Sequence, residues 1–195
     1  MSGSSGERYV LTCYHVAFGA QARAGERVWA LPPEDDSATP VLLGRAAVGQ
    51  LGRVGPSSEP YFVDCALIAL AAGIEGGPAW LRDALSALAR RGTAAPLVGA
   101  AVVKDGASTG VTYGAIASAR YVTESTVDNR GCLASDQLLV DSADEALVFS
   151  AAGDSGAALL DQAGRMLGLL WGTTPSGQGI ACPIAPVLTH LGVEI

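Results

Sequence analysis

The chain has 195 residues, 49% of them hydrophobic, 16% charged and 6% aromatic, with 25 glycines. That balance describes one ordinary domain, or two small halves around a shared core, with enough apolar material to bury a substantial interior. A net charge of −7 and a pI near 4.7 argue against nucleic acid or an anionic membrane as the main partner, and no apolar run approaches the roughly 20 residues of a spanning helix.

The first residues, MSGSSGER, have no apolar core, so no secretory signal is expected, and 1–7 read as a linker or vector-derived remnant. RYVLTCYHV (8–16) is β-rich and ends at a histidine. VWALP (28–32) and VLLGRAAVGQLG (41–52) are strand-like runs around the acidic turn PPEDDSATP. YFVDCALIAL (61–70) is a nearly continuous apolar strand interrupted by one charge, Asp64. From Gly77 the period changes: Trp80, Leu81, Ala84, Leu85 and Leu88 share one helical face, and Gly92 ends it.

Strands return at 96–103, 111–122, 132–140 and 146–149. In AALLDQAGRMLGLLWG the DQAG at 161–164 reads as a turn between two apolar strands; GIACPIAP follows, and PVLTHLGVEI reads as a short terminal helix. Many short strands at regular spacing favour an all-β barrel or sandwich with minor helix over a parallel α/β fold. The expected organisation is an N-terminal β half (8–75), a helical connection (76–95) and a C-terminal β half with its helix (96–195).

Cys13, Cys65, Cys132 and Cys182 form no CxxC pair and have no histidine at metal-ligand spacing. They predict no metal site, and read as free thiols of a reducing cytoplasm. No cofactor is implied.

FSAAGDSGAALL (149–160) sets Gly153-Asp154-Ser155-Gly156 between apolar stretches. A serine hydroxyl is a poor nucleophile without a positioned base, and histidine fits that task. The chain has two. His190, near the end of the terminal helix, reads as a surface residue; His15 closes an apolar strand. Such a base needs an acceptor for its other ring nitrogen. Asp64 is the best candidate, because a carboxylate inside an apolar strand is costly unless paired. Asp35, Asp36, Asp141 and Asp144 lie in polar surroundings.

The order His15…Asp64…Ser155, with Asp64-Cys-Ala-Leu-Ile and Gly153-Asp154-Ser155-Gly156, resembles the chymotrypsin/trypsin-like serine peptidases over about residues 8–195, with similar gaps. Leu169-Leu170-Trp171-Gly172 resembles that family's substrate-lining strand, and Gly179-Ile180-Ala181 the far wall of its specificity pocket. Ser108-Thr109-Gly110-Val111-Thr112-Tyr113-Gly114 is similar to a segment of the intracellular, bacterial and plant trypsin-like branch.

The resemblance implies two six-stranded β-barrels and a C-terminal helix. Only fourteen residues precede His15, so the N-terminal barrel is expected to lack its first strand or to take it from another segment or subunit. It further implies that Ser155 attacks a scissile carbonyl, that His15 moves the proton, that Asp64 orients His15, and that the N–H groups of Gly153 and Ser155 form the oxyanion hole. Asp154 is then a structural acid. Phe149 would sit at the base of the specificity pocket, with Ser150, Gly172, Gly179 and Trp171 around the substrate. No carboxylate stands at the base, which points to small or apolar side chains.

The expected partners are a protein or peptide substrate, plus a regulatory partner or an upstream domain, in the cytoplasm. A catalytically silent relative acting as a protein-binding module is the alternative. An unrelated β domain or esterase with a chance Gly-Asp-Ser-Gly is a third, although the elbow spacing and triad order of α/β-hydrolases do not fit.

Overall fold

A computed structural model describes residues 7–19, 22–30, 39–56, 60–74, 92–125 and 131–194. Its elements run β1 (Tyr9–Thr12), α1 (Tyr14–Ala17), β2 (Arg27–Ala30), β3 (Val41–Val54), β4 (Tyr61–Leu70), β5 (Ala101–Gly106), β6 (Gly110–Ser125), β7 (Cys132–Ser142), β8 (Ala158–Asp161), β9 (Met166–Thr173), β10 (Gly179–Pro183) and α2 (Ile184–Leu191). The helix expected over 77–91 lies outside the described residues, as do Asp35 and Asp36.

The strands form two antiparallel sheets. The first has the order β1-β4-β3-β2, and the second closes into a barrel in the order β10-β7-β6-β5-β8-β9. Two β halves and a C-terminal helix are therefore present as expected. The N-terminal half, expected to be short of a strand, is an open four-stranded sheet among the described residues.

β4 explains its own sequence. It lies between β1 and β3 in the sheet and also meets β7 and α2, so both of its faces are covered. Residues 62–68 are all buried. A strand covered on both faces reads as a continuous apolar run rather than an alternating one. The β8–β9 hairpin follows the sequence as closely. Gly164 N–H donates to Asp161 O at 3.0 Å, and the Asp161 carboxylate accepts the N–H groups of Ala163 and Arg165, each at 2.9 Å.

Three expectations shift. His15 stands on a single helical turn after β1, not at the end of a strand. Residues 146–149 are not a strand: Phe149 N–H and Ser150 N–H both donate to Gly177 O, at 2.9 and 3.1 Å, which ties the segment to a facing loop instead of a ladder. β5 begins at Ala101 because residues 97–100 turn, with Ala100 N–H donating to Leu97 O at 3.0 Å. It then continues through Lys104 to Gly106.

One hydrophobic cluster joins the halves, placing Cys13, Phe62, Val63 and Cys65 against Leu160, Leu169, Trp171, Cys182 and Val187. A second fills the barrel around Leu138, Val140, Phe149, Leu159 and Leu170. A third, with Phe18, Ala46 and Ile68, supports the N-terminal sheet.

All four cysteines are free thiols, with Cys13, Cys65 and Cys182 buried. Burial pushes the Cys13 and Cys182 thiols well up from their ordinary range. It raises Cys65 to about 12, with the Asp64 charge adding to the effect. Buried neutral thiols are inert. Titration of the native protein with an aromatic disulfide at pH 8 should therefore modify Cys132 alone, and all four thiols only after denaturation. Rapid native reaction of a second thiol would contradict this packing.

Candidate active site

His15 is aimed by its local backbone. Cys13 is extended (φ −77°, ψ 151°), and one turn then forms, with Ala17 N–H donating to Cys13 O at 3.1 Å and Phe18 N–H to Tyr14 O at 2.8 Å. Tyr14 and Phe18 stack at 4.7 Å, and Phe18 is buried in the N-terminal cluster, so the turn is anchored on the side away from His15. Asp64 projects from the middle of β4 and is 0% exposed.

The two residues meet. His15 Nδ1 lies 2.5 Å from Asp64 Oδ2, and the His15 backbone N–H donates to Asp64 Oδ1 at 3.3 Å. A carboxylate only accepts, so Nδ1 carries the ring proton and Nε2 keeps its lone pair. The His15 side chain is 24% exposed. A buried acid thus holds a half-buried imidazole in one tautomer, with its basic nitrogen free to act.

Ser155 lies on the loop between β7 and β8, and two contacts bring this loop to the His15 turn. Leu170 O accepts both Gly156 N–H at 2.8 Å and the Cys13 thiol at 3.1 Å. The residue after Ser155 and the residue two before His15 therefore share one carbonyl. A Cβ on Gly156 would stand 2.4 Å from Thr12 Oγ1. Ser155 Oγ donates to Trp171 O at 3.2 Å, so its proton points to β9 in this arrangement.

Gly153 has φ +100°, and a Cβ there would fall 2.3 Å from Ser108 Oγ. Strain and space both require glycine. The N–H groups of Gly153 and Ser155 meet no acceptor among the described residues. Two neighbouring unused donors on a fixed loop can receive a developing negative oxygen.

Asp154 turns inward instead. Its Oδ1 accepts Ser108 N–H (2.8 Å) and Thr109 N–H (3.1 Å); its Oδ2 accepts Ala151 N–H (3.0 Å) and Thr109 Oγ1 (2.7 Å). Burial alone would raise its pKa, but these hydrogen bonds, led by Thr109's hydroxyl, outweigh it and hold the carboxyl below its ordinary value. Lys104 Nζ is 3.2 Å from Oδ2, with both side chains 0% exposed, and it also donates to Gly110 O at 3.1 Å. Lys104 was not anticipated, because the predicted strand stopped at 103 and a lysine just beyond a strand reads as solvated. The strand runs on, and Lys104 points inward.

The remaining predicted residues divide. Phe149 and Ser150 are buried, with Phe149 O accepting Thr112 Oγ1 at 2.8 Å and Ser150 O accepting Thr173 Oγ1 at 2.9 Å. The Phe149 ring is sandwiched between Gly114 and Gly179, where added Cβ atoms would stand 2.8 and 2.7 Å from it. Gly172 pairs with Ile180 across β9 and β10. Trp171 offers its carbonyl to Ser155, but its indole is 6% exposed and points into the interior, where Nε1–H donates to Gln137 Oε1 at 2.8 Å. His190 is exposed on α2. Donor atoms of Cys13, His15 and Asp64 lie within 4.8 Å of one another, so these three could approach a cation only by giving up the His15–Asp64 bond.

Two ion pairs should respond differently to truncation. Lys104→Met strands a buried carboxylate and should cost about 3–5 kcal/mol in urea unfolding. Arg165→Met removes only the exposed pair with Asp161 and should cost about 1 kcal/mol or less. Because the folded Asp154 value is depressed, its stabilisation is present above the ordinary carboxylate range and is lost as pH falls through the lower folded value. Asp154→Asn should therefore flatten the acid limb of the stability profile.

Among solved structures, the chain is similar to a glutamic-acid-specific serine protease (TM-score 0.65, 20% identity, covering 99% of this chain and 89% of the other). It is also similar to an alpha-lytic protease homologue, N4 (TM-score 0.64, 20% identity, 98% and 88%), and to the chymotrypsin of Cellulomonas bogoriensis (TM-score 0.60, 19% identity, 95% and 84%). No curated protein sequence matches it. These likenesses make the fold the chymotrypsin-like pair of β halves with a C-terminal helix. The family model described as the Nal1 C-terminal domain matches residues 84–181, half of the chain, a stretch that contains Ser155, Lys104 and Phe149, and on that match the protein belongs to the family of the Nal1 C-terminal domain.

Proposed function

We propose that the protein is a serine endopeptidase that hydrolyses peptide bonds through Ser155, His15 and Asp64 by way of an acyl-enzyme. The observation that carries this reading is the 2.5 Å contact between His15 Nδ1 and the fully buried Asp64 carboxylate, on a turn whose Cys13 shares the Leu170 carbonyl with Gly156 of the Ser155 loop. The serine protease fold of its structural neighbours supports it.

In this reading Ser155 Oγ leaves Trp171 O and attacks the scissile carbonyl carbon, while its proton passes to His15 Nε2. Asp64 holds Nδ1–H and stabilises the imidazolium. The carbonyl oxygen becomes an oxyanion bound by the N–H groups of Gly153 and Ser155. The C–N bond breaks as His15 returns the proton to the leaving amine. Water then attacks the acyl ester, His15 takes its proton, and the acid product leaves with Ser155 restored.

A preference for small or apolar side chains beside the scissile bond is supported by Phe149. Its ring fills the space between Gly114 and Gly179 and brings no charge to the floor. The likeness of the Ser108–Gly114 sequence is what supports a place in the intracellular bacterial-type branch, and with that branch we propose a cytoplasmic setting and a regulatory partner or an upstream domain restraining activity.

A fluorophosphonate probe should label the wild type at Ser155, and Ser155→Ala should not label. His15→Ala and Asp64→Asn should label about 10³–10⁴-fold more slowly. A folded wild type that labels no faster than Ser155→Ala would leave a catalytically silent binding module. On a peptide library, Phe149→Ala, assayed where it is folded, should gain cleavage after longer apolar residues.

A further inference from the structure

Gln137 is a fully buried amide. It arrives inside through a break in its own strand. β6 and β7 pair Tyr121 with Gln137 and Thr123 with Ala134, so β7 carries one extra residue there. At that bulge Asp136 adopts φ +56°, the one non-glycine positive φ among the described residues. Bulges re-aim a side chain, and a residue held in that region is strained unless its surroundings compensate it. Leu138 and Val140 face the barrel interior, and Gln137 is on the opposite face, towards the N-terminal sheet.

Every polar group of the amide is committed. Nε2 donates to Phe62 O at 3.3 Å and to Ser135 O at 2.8 Å, and Oε1 accepts Trp171 Nε1–H at 2.8 Å. The indole N–H only donates and the two carbonyls only accept, so one amide orientation alone satisfies all three. Phe62 is two residues before Asp64 on β4, and its ring packs against the Trp171 indole at 5.1 Å. The Trp171 carbonyl in turn holds Ser155 Oγ. One side chain from β7 thus binds the strand that carries the acid and the residue that faces the nucleophile.

We propose that Gln137 is a positioning residue that sets the placement of the His15–Asp64 pair, on one half of the molecule, against Ser155 on the other. The inference rests on the peptidase reading for its catalytic consequence and on the hydrogen bonds alone for its structural one. Gln137→Met keeps the length and apolar contacts of the side chain and loses all three bonds. Gln137→Glu keeps the acceptor for Trp171 but sets a carboxylate against the Phe62 and Ser135 carbonyls.

The test is the inactivation kinetics of the fluorophosphonate probe, split into KI and kinact, with ¹H–¹⁵N spectra of each variant to show folding. In Gln137→Met, kinact should fall about tenfold to a hundredfold with KI within about twofold, since a displacement near 1 Å costs that much in rate. Gln137→Glu should fall similarly while its Trp171 indole resonance stays near the wild-type position, which separates the Phe62 and Ser135 bonds from the indole bond. In both variants the Asp64 and Ser155 amide resonances should shift together. Folded Gln137→Met that is inactivated at the wild-type kinact would overturn the proposal. If the wild type does not label at all, the peptidase reading fails instead. The spectra then decide this one: joint shifts of Asp64 and Ser155 sustain it, and a change confined to Trp171 and its neighbours defeats it.

Discussion

The placement of a carboxylate at the centre of a buried strand constrains everything else at this site. Asp64 is 0% exposed, and an ion there must be matched by donors or it will not stay ionised. His15 supplies two, its ring Nδ1–H and its backbone N–H. To do so the chain after β1 must turn at once, which is why a one-turn helix replaces the end of the strand. That turn leans on Phe18 in the N-terminal cluster, while Cys13, just ahead of it, reaches Leu170 O in the other half. Satisfying one buried charge thus dictates the path of α1 and ties it to the Ser155 loop.

The loop around Ser155 is the reverse case: the N–H groups of Gly153 and Ser155 meet no acceptor among the described residues. Gly153 and Ser155 can point N–H groups outward because the residue between them points inward. Asp154 collects four hydrogen bonds and the Lys104 ammonium, so the loop is held from below while its upper surface stays open. Such a pair is weak evidence for net stability, because desolvation offsets most of the attraction between the charges. Its value lies in direction. A carboxylate with four fixed donors admits few backbone paths through 151–154, and preorganised donors gain most where nothing needs to move.

How far this could be read from the amino-acid sequence depended on whether a residue's setting is local. β4 was legible because burial on both faces writes a continuous apolar run, and Asp64 stood out as the charge that interrupts it. The β8–β9 hairpin was legible because its turn is built within Asp161–Arg165. Residues 146–149 misled because Ala-Leu-Val-Phe has strand propensity, yet its N–H groups go to Asp144 and to the Gly177 carbonyl rather than to a neighbouring strand. Lys104 and Gln137 were missed for a common reason. Their polar partners lie on other elements, and a lysine after an apolar run or an amide within one reads as solvated unless the strand's true end or bulge is known. The logic that drew attention to Asp64, a polar group inside an apolar strand, applies equally to Gln137 in CLASDQLLV; the adjacent serine and aspartate hid it by making the stretch look like surface.

The match to the Nal1 C-terminal domain covers 84–181 and so takes in Ser155, its Asp154–Lys104 support and Phe149, but neither His15 nor Asp64. The division is physical as well as statistical. The barrel is closed, and it carries Gly153 and Ser155 on its β7–β8 loop. The open sheet carries Asp64 and leads into the His15 turn, and β4 depends on the barrel for part of its cover. The proton transfer proposed between them could not be set by either half alone. Among the bonds that cross between the halves are the Cys13 thiol to Leu170 O and the Gln137 amide to Phe62 O, with Thr12 close beside Gly156. A hydrophobic cluster brings the halves together without fixing their register, because apolar contact is non-directional. The polar crossings supply direction, and each ends within two residues of His15, Asp64 or Ser155.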